Sequence, residues 1–362
     1  MSNKVLLYIP QHLVKEQYPY SVLLYPFWGV QEKVNAPITT AIFKQYNFDP
    51  SYYSIVDDPA LAEYIFLPYR YWFLLKEDPE LITAYINEAK KINRPLLIDA
   101  IGDIMKDITI HNSVVLRYAH YKSKLKDNDV IIPVYTEDLL ASYENGEITI
   151  RNKKNIPSVG FVGWSSLPFA AYPKTWLKDF PLFLLGFFTS RFDLYRKGVL
   201  FRRKVLKILE RSPRIDTHFI YRESYSGNIK TAKGDADTLR KEFVENILES
   251  DYALCVRGDA NQSTRFFEVL SLGRIPVFVD TDIALPLEDK INYKEFCIFV
   301  DYRDVHKIDK VINEFHKSIS PEEFENMQRK ARKAFEEYLR IDSYTKYLMQ
   351  ILKEKSKHET RT

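Results

Sequence analysis

Short apolar runs alternate with longer amphipathic stretches through the first half of the chain. Residues 5–9, 64–67, 96–98 and 130–132 are apolar throughout, and each stops at a polar residue or a proline. That pattern predicts parallel strands covered on both faces. Between them, residues 79–92 carry Leu81, Ala84, Tyr85, Glu88 and Ile92 at spacings of three and four, which predicts a helix. Strand and helix in alternation predict an α/β domain.

The polar stretch RNKKNIPS at 151–158 interrupts the pattern and reads as a linker. A second α/β series follows. Strands are predicted at 159–162, 217–221, 252–256, 275–279 and 296–300, and helices at 193–211, 239–250 and 263–272. Pro321 suits the first turn of a further, highly charged helix. The chain is thus expected to divide into an N-terminal α/β domain at 1–155, a C-terminal α/β domain at 156–335, and a terminal helix with a basic tail at 336–362. The tail is expected to fray from Lys353. Two α/β domains of similar size are expected to face a cleft, where small ligands bind.

Composition narrows the function. The 362 residues are 46% apolar and 28% charged, ordinary globular usage that excludes disorder over most of the length. With 52 basic and 49 acidic residues the net charge is +3. That is too balanced for a protein that holds nucleic acid chiefly by neutralising phosphates. The two cysteines, Cys255 and Cys297, sit in apolar runs and exclude both a disulfide scaffold and a cysteine-based zinc site. The first apolar run stops at Pro10, and the longest later one, FPLFLLGFF at 180–188, has nine residues. A spanning helix needs about 20. The nonamer reads as a buried helix, and the expectation is a cytoplasmic protein without signal peptide or membrane anchor. A basic helix from Asp193 and the basic tail leave peripheral contact with an anionic membrane open. A solvated charged face explains them as well.

The most informative stretch is YALCVRGDANQSTRFFEVLSLGRIPVFVDTD, residues 252–282. It reads as strand, loop, helix, turn, strand. Gly258 relieves the loop, Ser263 or Thr264 can cap the helix, and Gly273 can end it. Phe266, Val269 and Leu270 mark its packing face. This arrangement suits phosphate, because ligands of open α/β sheets lie beyond the strand ends, where a helix N-terminus presents amides. Arg257 and Arg265 bracket that N-terminus and could clamp a diphosphate with forked hydrogen bonds. Glu268 could accept from sugar hydroxyls, or pair with Arg265 at the surface. Gly163 and Arg222 end predicted strands on the same edge, and Arg203 lies on the basic helix. No strand is followed by a GxGxxG fingerprint, and no GxxxxGK[ST] occurs.

The run resembles the signature of the exostosin-like glycosyltransferases: a Cys-Pro-Arg-Gly-like strand end, then Ser, Arg and Glu in a helix, then Gly-x-Ile-Pro-Val. Here these are Cys255, Arg257, Gly258, Ser263, Arg265, Glu268, Gly273, Ile275, Pro276 and Val277, followed by Asp282, Leu285, Pro286 and the pattern IxYxxFxIxV at 291–300. Val256 replaces the usual Pro, and Leu287 stands where Phe is common. AEYIFLPY at 62–69, DVIIPV at 129–134 and SVGFVG at 158–163 are similar to the family's layout in order. The resemblance implies a GT-B architecture, α/β with two Rossmann-like domains facing a cleft. It implies an inverting enzyme that needs no cofactor and usually no metal. Its C-terminal domain would hold a nucleotide-sugar donor, with Gly163, Arg222, Arg257, Gly258, Asn261, Ser263, Thr264, Arg265 and Glu268 as candidate donor contacts. Its N-terminal domain would hold the acceptor, an oligosaccharide or lipid-linked glycan.

An inverting displacement needs a base for the acceptor hydroxyl. His12, Tyr69, Asp99, Asp103 and Tyr135 lie near predicted strand ends of the N-terminal domain. Asp99, directly after LLI, is the first candidate and Asp103 the second; each could equally cap a helix. The family's His-Asp-x-Gly-like element lacks its His here. His111 and His120 are weaker candidates. Asp280 and Asp282 form an Asp-x-Asp pair that could bind magnesium or manganese, or close an Asx turn. Two other readings stay open: a catalytically silent glycan-binding or scaffold subunit, and a phosphosugar epimerase or phosphorylase.

Overall fold

The structure, a computed structural model, describes residues 4–31, 45–165, 197–223 and 234–359, with residues 177, 180, 181, 184 and 185 between. It forms two compact units. Both are α/β.

The first unit holds strands β1 (Val5–Tyr8), β2 (Tyr53–Val56), β3 (Tyr64–Leu67), β4 (Leu96–Asp99), β5 (Ser113–Arg117) and β6 (Asp129–Ile131). They form one sheet in the order β2-β1-β3-β4-β5-β6, and every neighbouring pair is parallel. β3 and β4 are buried along their whole length, which explains their unbroken apolar sequences. Helices of eight residues or more are numbered in chain order. α1 (Pro79–Lys91) begins where the Asp78 carboxylate accepts the Leu81 amide, with Pro79 in the first turn. Its Leu81, Ile82, Tyr85 and Ala89 pack with Ile65, Leu67, Leu96, Ile98 and Val115 of the sheet.

Two of these strands carried no clear sequence signal. β2 is an edge strand, buried fully only at Tyr53. β5 ends in Arg117, which is 1% exposed. Its guanidinium can be buried because Nε donates to the Asp129 carboxylate at 2.5 Å and Nη1 to the Lys106 carbonyl at 3.0 Å.

The second unit holds β7 (Ser158–Trp164), β8 (Asp216–Arg222), β9 (Tyr252–Cys255), β10 (Ile275–Asp280) and β11 (Ile298–Asp301), in the order β11-β10-β9-β7-β8, again all parallel. Its helices are α2 (Gly198–Glu210), α3 (Ala236–Leu248), α4 (Thr264–Ser271), α5 (Ile308–Ser318) and α6 (Pro321–Ala334). Ser320 and Glu323 form a reciprocal capping box at the start of α6. The core packs Phe201, Val205 and Leu209 of α2 with Leu254, Val277 and Val300 of the sheet.

The division of the chain differs from the expected one. The first unit takes residues up to Glu137, then Ala284–Leu287, then Glu336 onward; the second takes Asp138–Ile283 and Glu288–Phe335. The RNKKNIPS stretch is therefore no linker but part of the second unit. Arg151 exchanges backbone hydrogen bonds with the Gln328 side chain at 2.9 Å in each direction, and its Nε donates to Asp251 at 2.7 Å. Nor is the C-terminal segment a separate piece. α7 (Ile341–Glu359) belongs to the first unit, where Tyr64 donates to the Leu352 carbonyl at 2.6 Å and Tyr344 to the Ile131 carbonyl at 2.9 Å. Lys353, the expected start of fraying, pairs with Glu63 at 2.5 Å, so the helix continues. The basic helix expected at 193–211 is α2; residues 193–196 and most of the 180–188 nonamer lie outside the described residues. Among the described residues no helix is long and apolar enough to cross a membrane.

Candidate active site

In the second unit the strand order reverses direction between β7 and β9. In open parallel α/β sheets that reversal leaves a crevice beyond the carboxyl ends of the two strands. The residues there are Gly163 and Trp164 from β7, and Arg257 and Gly258 just after β9. The loop after β9 then leads to Ser263, which holds the cap position of α4 in extended conformation, although its hydroxyl makes no capping hydrogen bond. Thr264 opens the helix, and Gly273 ends it with a φ of +62°.

Three arginines gather at the crevice. Arg265, in the first turn of α4, turns back onto β7. Its Nη2 donates to the Val162 carbonyl, and its guanidinium lies 4.2 Å from the Phe161 ring centroid and 5.5 Å from that of Phe243. Gly163 makes room for it: a Cβ there would come within 2.8 Å of Nη2. Arg202 of α2 bridges the two strand ends, donating to the Trp164 carbonyl at 2.8 Å and to the Arg257 carbonyl at 3.2 Å. Arg257 itself is 4% exposed, and its Nη1 donates to the Gly258 carbonyl at 3.3 Å. Arg203, its neighbour on α2, is close enough to Tyr221 of β8 for its charge to act on the phenol. Arg202 was visible only as part of a basic run. Its partners are main-chain carbonyls, which sequence does not mark.

Other candidates are engaged elsewhere. Glu268 accepts from Arg240 of α3 at 2.7 Å, not from Arg265. Arg222 is tied to Glu242 and to the Leu239 carbonyl. Asn261 is fully buried and holds the loop after β10, donating to the carbonyls of Thr281 at 3.1 Å and Asp282 at 3.2 Å and accepting from the Thr281 hydroxyl at 2.6 Å. Asp280 accepts the Ile283 amide at 3.1 Å, the turn geometry that competed with metal binding, and burial pushes its carboxyl above the usual range. Asp282 has a φ of +61°. Among the described residues no three His, Cys, Asp or Glu side chains come together as a metal site. Cys255 and Cys297 are both buried as free thiols, and burial pushes Cys255 up to about 12.

In the first unit, Asp99 ends β4 and is 1% exposed. It accepts the Ile101 amide at 3.1 Å. Burial raises its pKa, against the lowering effects of the Arg70 charge and that amide. Asp103 is exposed on the following loop, four residues beyond the strand. Tyr69 is buried and its hydroxyl accepts the Lys15 amide at 2.5 Å. Tyr135 joins Tyr118 edge-on, with centroids 5.0 Å apart. His12 is exposed beside Glu88. His111 is exposed as well, whereas His120 is buried near Asp107 and burial lowers its pKa.

The second unit is thus a parallel α/β unit with an arginine-lined crevice at its strand reversal. Residues 184–315 match the Exostosin GT47 domain, and the chain is exostosin-like over that segment, which contains the Cys255–Val300 signature. Over 70 residues the chain is 37% identical to a probable glucuronosyltransferase of rice, Oryza sativa subsp. japonica, covering 19% of this chain and 16% of that protein. Over 87 residues it is 34% identical to a probable beta-1,4-xylosyltransferase of Arabidopsis thaliana, covering 24% and 20%. The matches thus span a fifth or less of those relatives' length. The crystal structure of Anabaena HepE in complex with UDP aligns over 99% of this chain and 100% of that one, at 8% identity and a TM-score of 0.38.

Proposed function

We propose that the chain is an inverting, nucleotide-sugar-dependent glycosyltransferase that transfers a sugar to a glycan acceptor without a metal. The observation that carries this reading is the grouping of Arg202, Arg257 and Arg265 at the β7/β9 reversal, inside the exostosin-like segment. The diphosphate of the donor would lie there, its charge met by Arg257 and Arg265 and by the amides at the start of α4. Glu268 would accept from a donor hydroxyl, with Arg240 fixing its orientation. The acceptor hydroxyl oxygen attacks the anomeric carbon, the bond from that carbon to the diphosphate oxygen breaks, and a base on the acceptor side takes the hydroxyl proton. The free nucleoside diphosphate leaves. Asp99 and Asp103 are the proposed bases; the raised pKa of Asp99 suits it to accept a proton, and its burial requires the acceptor to reach it through the strand-end loops.

Thermal unfolding with UDP, GDP, CMP, ADP and dTDP, each with magnesium and with a chelator, tests the reading. A ligand at about 100 times its dissociation constant stabilises by about 2.7 kcal/mol. Stabilisation by one nucleoside diphosphate, equal with chelator, is the expected result. A shift that needs magnesium returns Asp280 and Asp282 as metal ligands. No shift with any nucleotide favours the catalytically silent subunit.

A further inference from the structure

The two sheets have four edge strands among the described residues: β2 and β6 in the first unit, β11 and β8 in the second. β2, β6 and β11 have four, three and four residues, and short edges offer little to pair with. β8 has seven, as many as β7 beside it. Its sequence DTHFIYR holds neither the lysine nor the proline that guards an edge, and Thr217, Phe219, Ile220 and Tyr221 are strand-favouring residues. None of the seven is fully buried, and Tyr221 is 45% exposed.

The outer side of β8 is open as well as long. The Asp216 amide donates to the Pro157 carbonyl at 3.0 Å, toward β7. Main-chain groups alternate along a strand, so those of Asp216, His218, Ile220 and Arg222 serve β7, and those of Thr217, Phe219 and Tyr221 face outward. Among the described residues no main-chain group bonds to those three on the outer side.

The strand is also self-complementary about its centre. Laid antiparallel on a second copy with Phe219 facing Phe219, Thr217 falls opposite Tyr221, His218 opposite Ile220, and Asp216 opposite Arg222 at both ends. The outward residues 217, 219 and 221 are symmetric about that centre, so each exchanges main-chain bonds with its counterpart. At each end Asp216, its side chain 55% exposed and 3.1 Å from His218, meets an Arg222 that lies beside Glu242. The neighbouring registers lose this match. One sets Arg222 against Arg214, the other sets Arg222 against His218, and like charges opposite one another destabilise a strand pair.

We propose that the chain forms a two-fold dimer through β8, which joins the sheets of two second units into one continuous sheet. The partner is a second copy because the charges at the two ends of β8 answer each other. The inference does not depend on the glycosyltransferase reading. In the sequence alone DTHFIYR is one strand among several; its symmetry matters only because the strand order leaves it at an edge.

Sedimentation velocity on the full chain, up to about 100 μM, tests the proposal. The expected result is a monomer that converts to a dimer as concentration rises. Thr217→Pro removes an outward amide that the fold itself does not use, and should weaken self-association about tenfold or more while the chain stays folded. Asp216→Arg and Arg222→Asp each place like charges opposite one another at both ends, so each alone should be monomeric. An equimolar mixture of the two should dimerise again, because it sets the two substitutions face to face. A parent that stays monomeric throughout, a dimer of parental strength in folded Thr217→Pro and Asp216→Arg proteins, or a mixture of the two folded charge variants that associates no better than either alone overturns the proposal. Circular dichroism and the thermal midpoint establish folding, and Thr217→Pro with Asp216→Arg decides the matter where Arg222→Asp does not fold.

Discussion

Gly198, at the start of α2, lies directly against the carbonyl of Gly258: a Cβ at Gly198 would fall 1.8 Å from that oxygen. The Gly198 amide also donates to Asp259 at 3.3 Å. The N-terminus of α2 thereby fixes the loop that leaves β9. Gly198→Ala must displace backbone, since no flexible side chain is there to yield. We expect a loss of about 1–3 kcal/mol in unfolding free energy and weaker nucleotide binding, because the loop carrying Arg257 moves. A variant that binds nucleotide as the parent does separates this contact from the site.

Glu268 and Arg240 are partly buried, and their pair is worth about 1 kcal/mol or less. Glu268→Gln is therefore expected to leave the thermal midpoint nearly unchanged while lowering turnover about 100-fold or more. Arg240→Ala should lower turnover less, by loosening Glu268. Steady-state kinetics beside calorimetry checks both; full activity in Glu268→Gln removes the residue from the site.

Asp138 and Arg332 form a forked pair at 2.6 and 3.0 Å, both buried. Asp138 also caps the short helix Leu139–Tyr143. Asp138→Ala leaves a buried guanidinium without its carboxylate, so a loss of about 3–5 kcal/mol in urea unfolding is expected. Asp138→Ala combined with Arg332→Met should recover part of that loss.

His316 is buried in the second unit, with Nδ1 2.8 Å from the Tyr252 hydroxyl and Nε2 2.6 Å from the Lys154 carbonyl. Burial lowers its pKa, aided by Lys153 and opposed by the Lys154 carbonyl and Asp251. Because the unfolded chain takes up the proton first, this histidine's contribution is present above its unfolded pKa of about 6.5 and is lost as pH falls toward the folded value. The drop in urea midpoint between pH 7.5 and 5.5 should therefore be smaller in His316→Asn than in the parent. Equal drops would assign the acid sensitivity to other groups.

The strands and helices of the second unit were legible because their sequences are locally unambiguous. Ile275 to Val279 is a fully buried strand, and Ser263 and Gly273 bound α4, Gly273 through its positive φ and Ser263 by position without a side-chain hydrogen bond. β5 carries no clear sequence signal because its last residue is an arginine, and Asp129, brought in by β6, together with the Lys106 carbonyl makes that burial tolerable. Likewise, spacing put Arg265 and Glu268 side by side on one helix, but Phe161 and Arg240 come from elsewhere in the chain and draw the two apart. The unit boundary was misplaced for the same reason. RNKKNIPS has linker composition, yet Gln328 and Asp251, far away in sequence, anchor it.

The first unit opens with β1 and is completed by α7, whose Tyr344 and Lys353 fasten onto strands and loops made some two hundred or more residues earlier. On a ribosome, the part begun first must therefore wait for the last. The second unit is contained within 138–335 apart from the short 284–287 excursion, so it can close while the first still lacks a helix. A stop codon near 335 would thus leave the later-made half intact and strip the earlier one of its cover, inverting the usual expectation that C-terminal loss spares what was synthesised first.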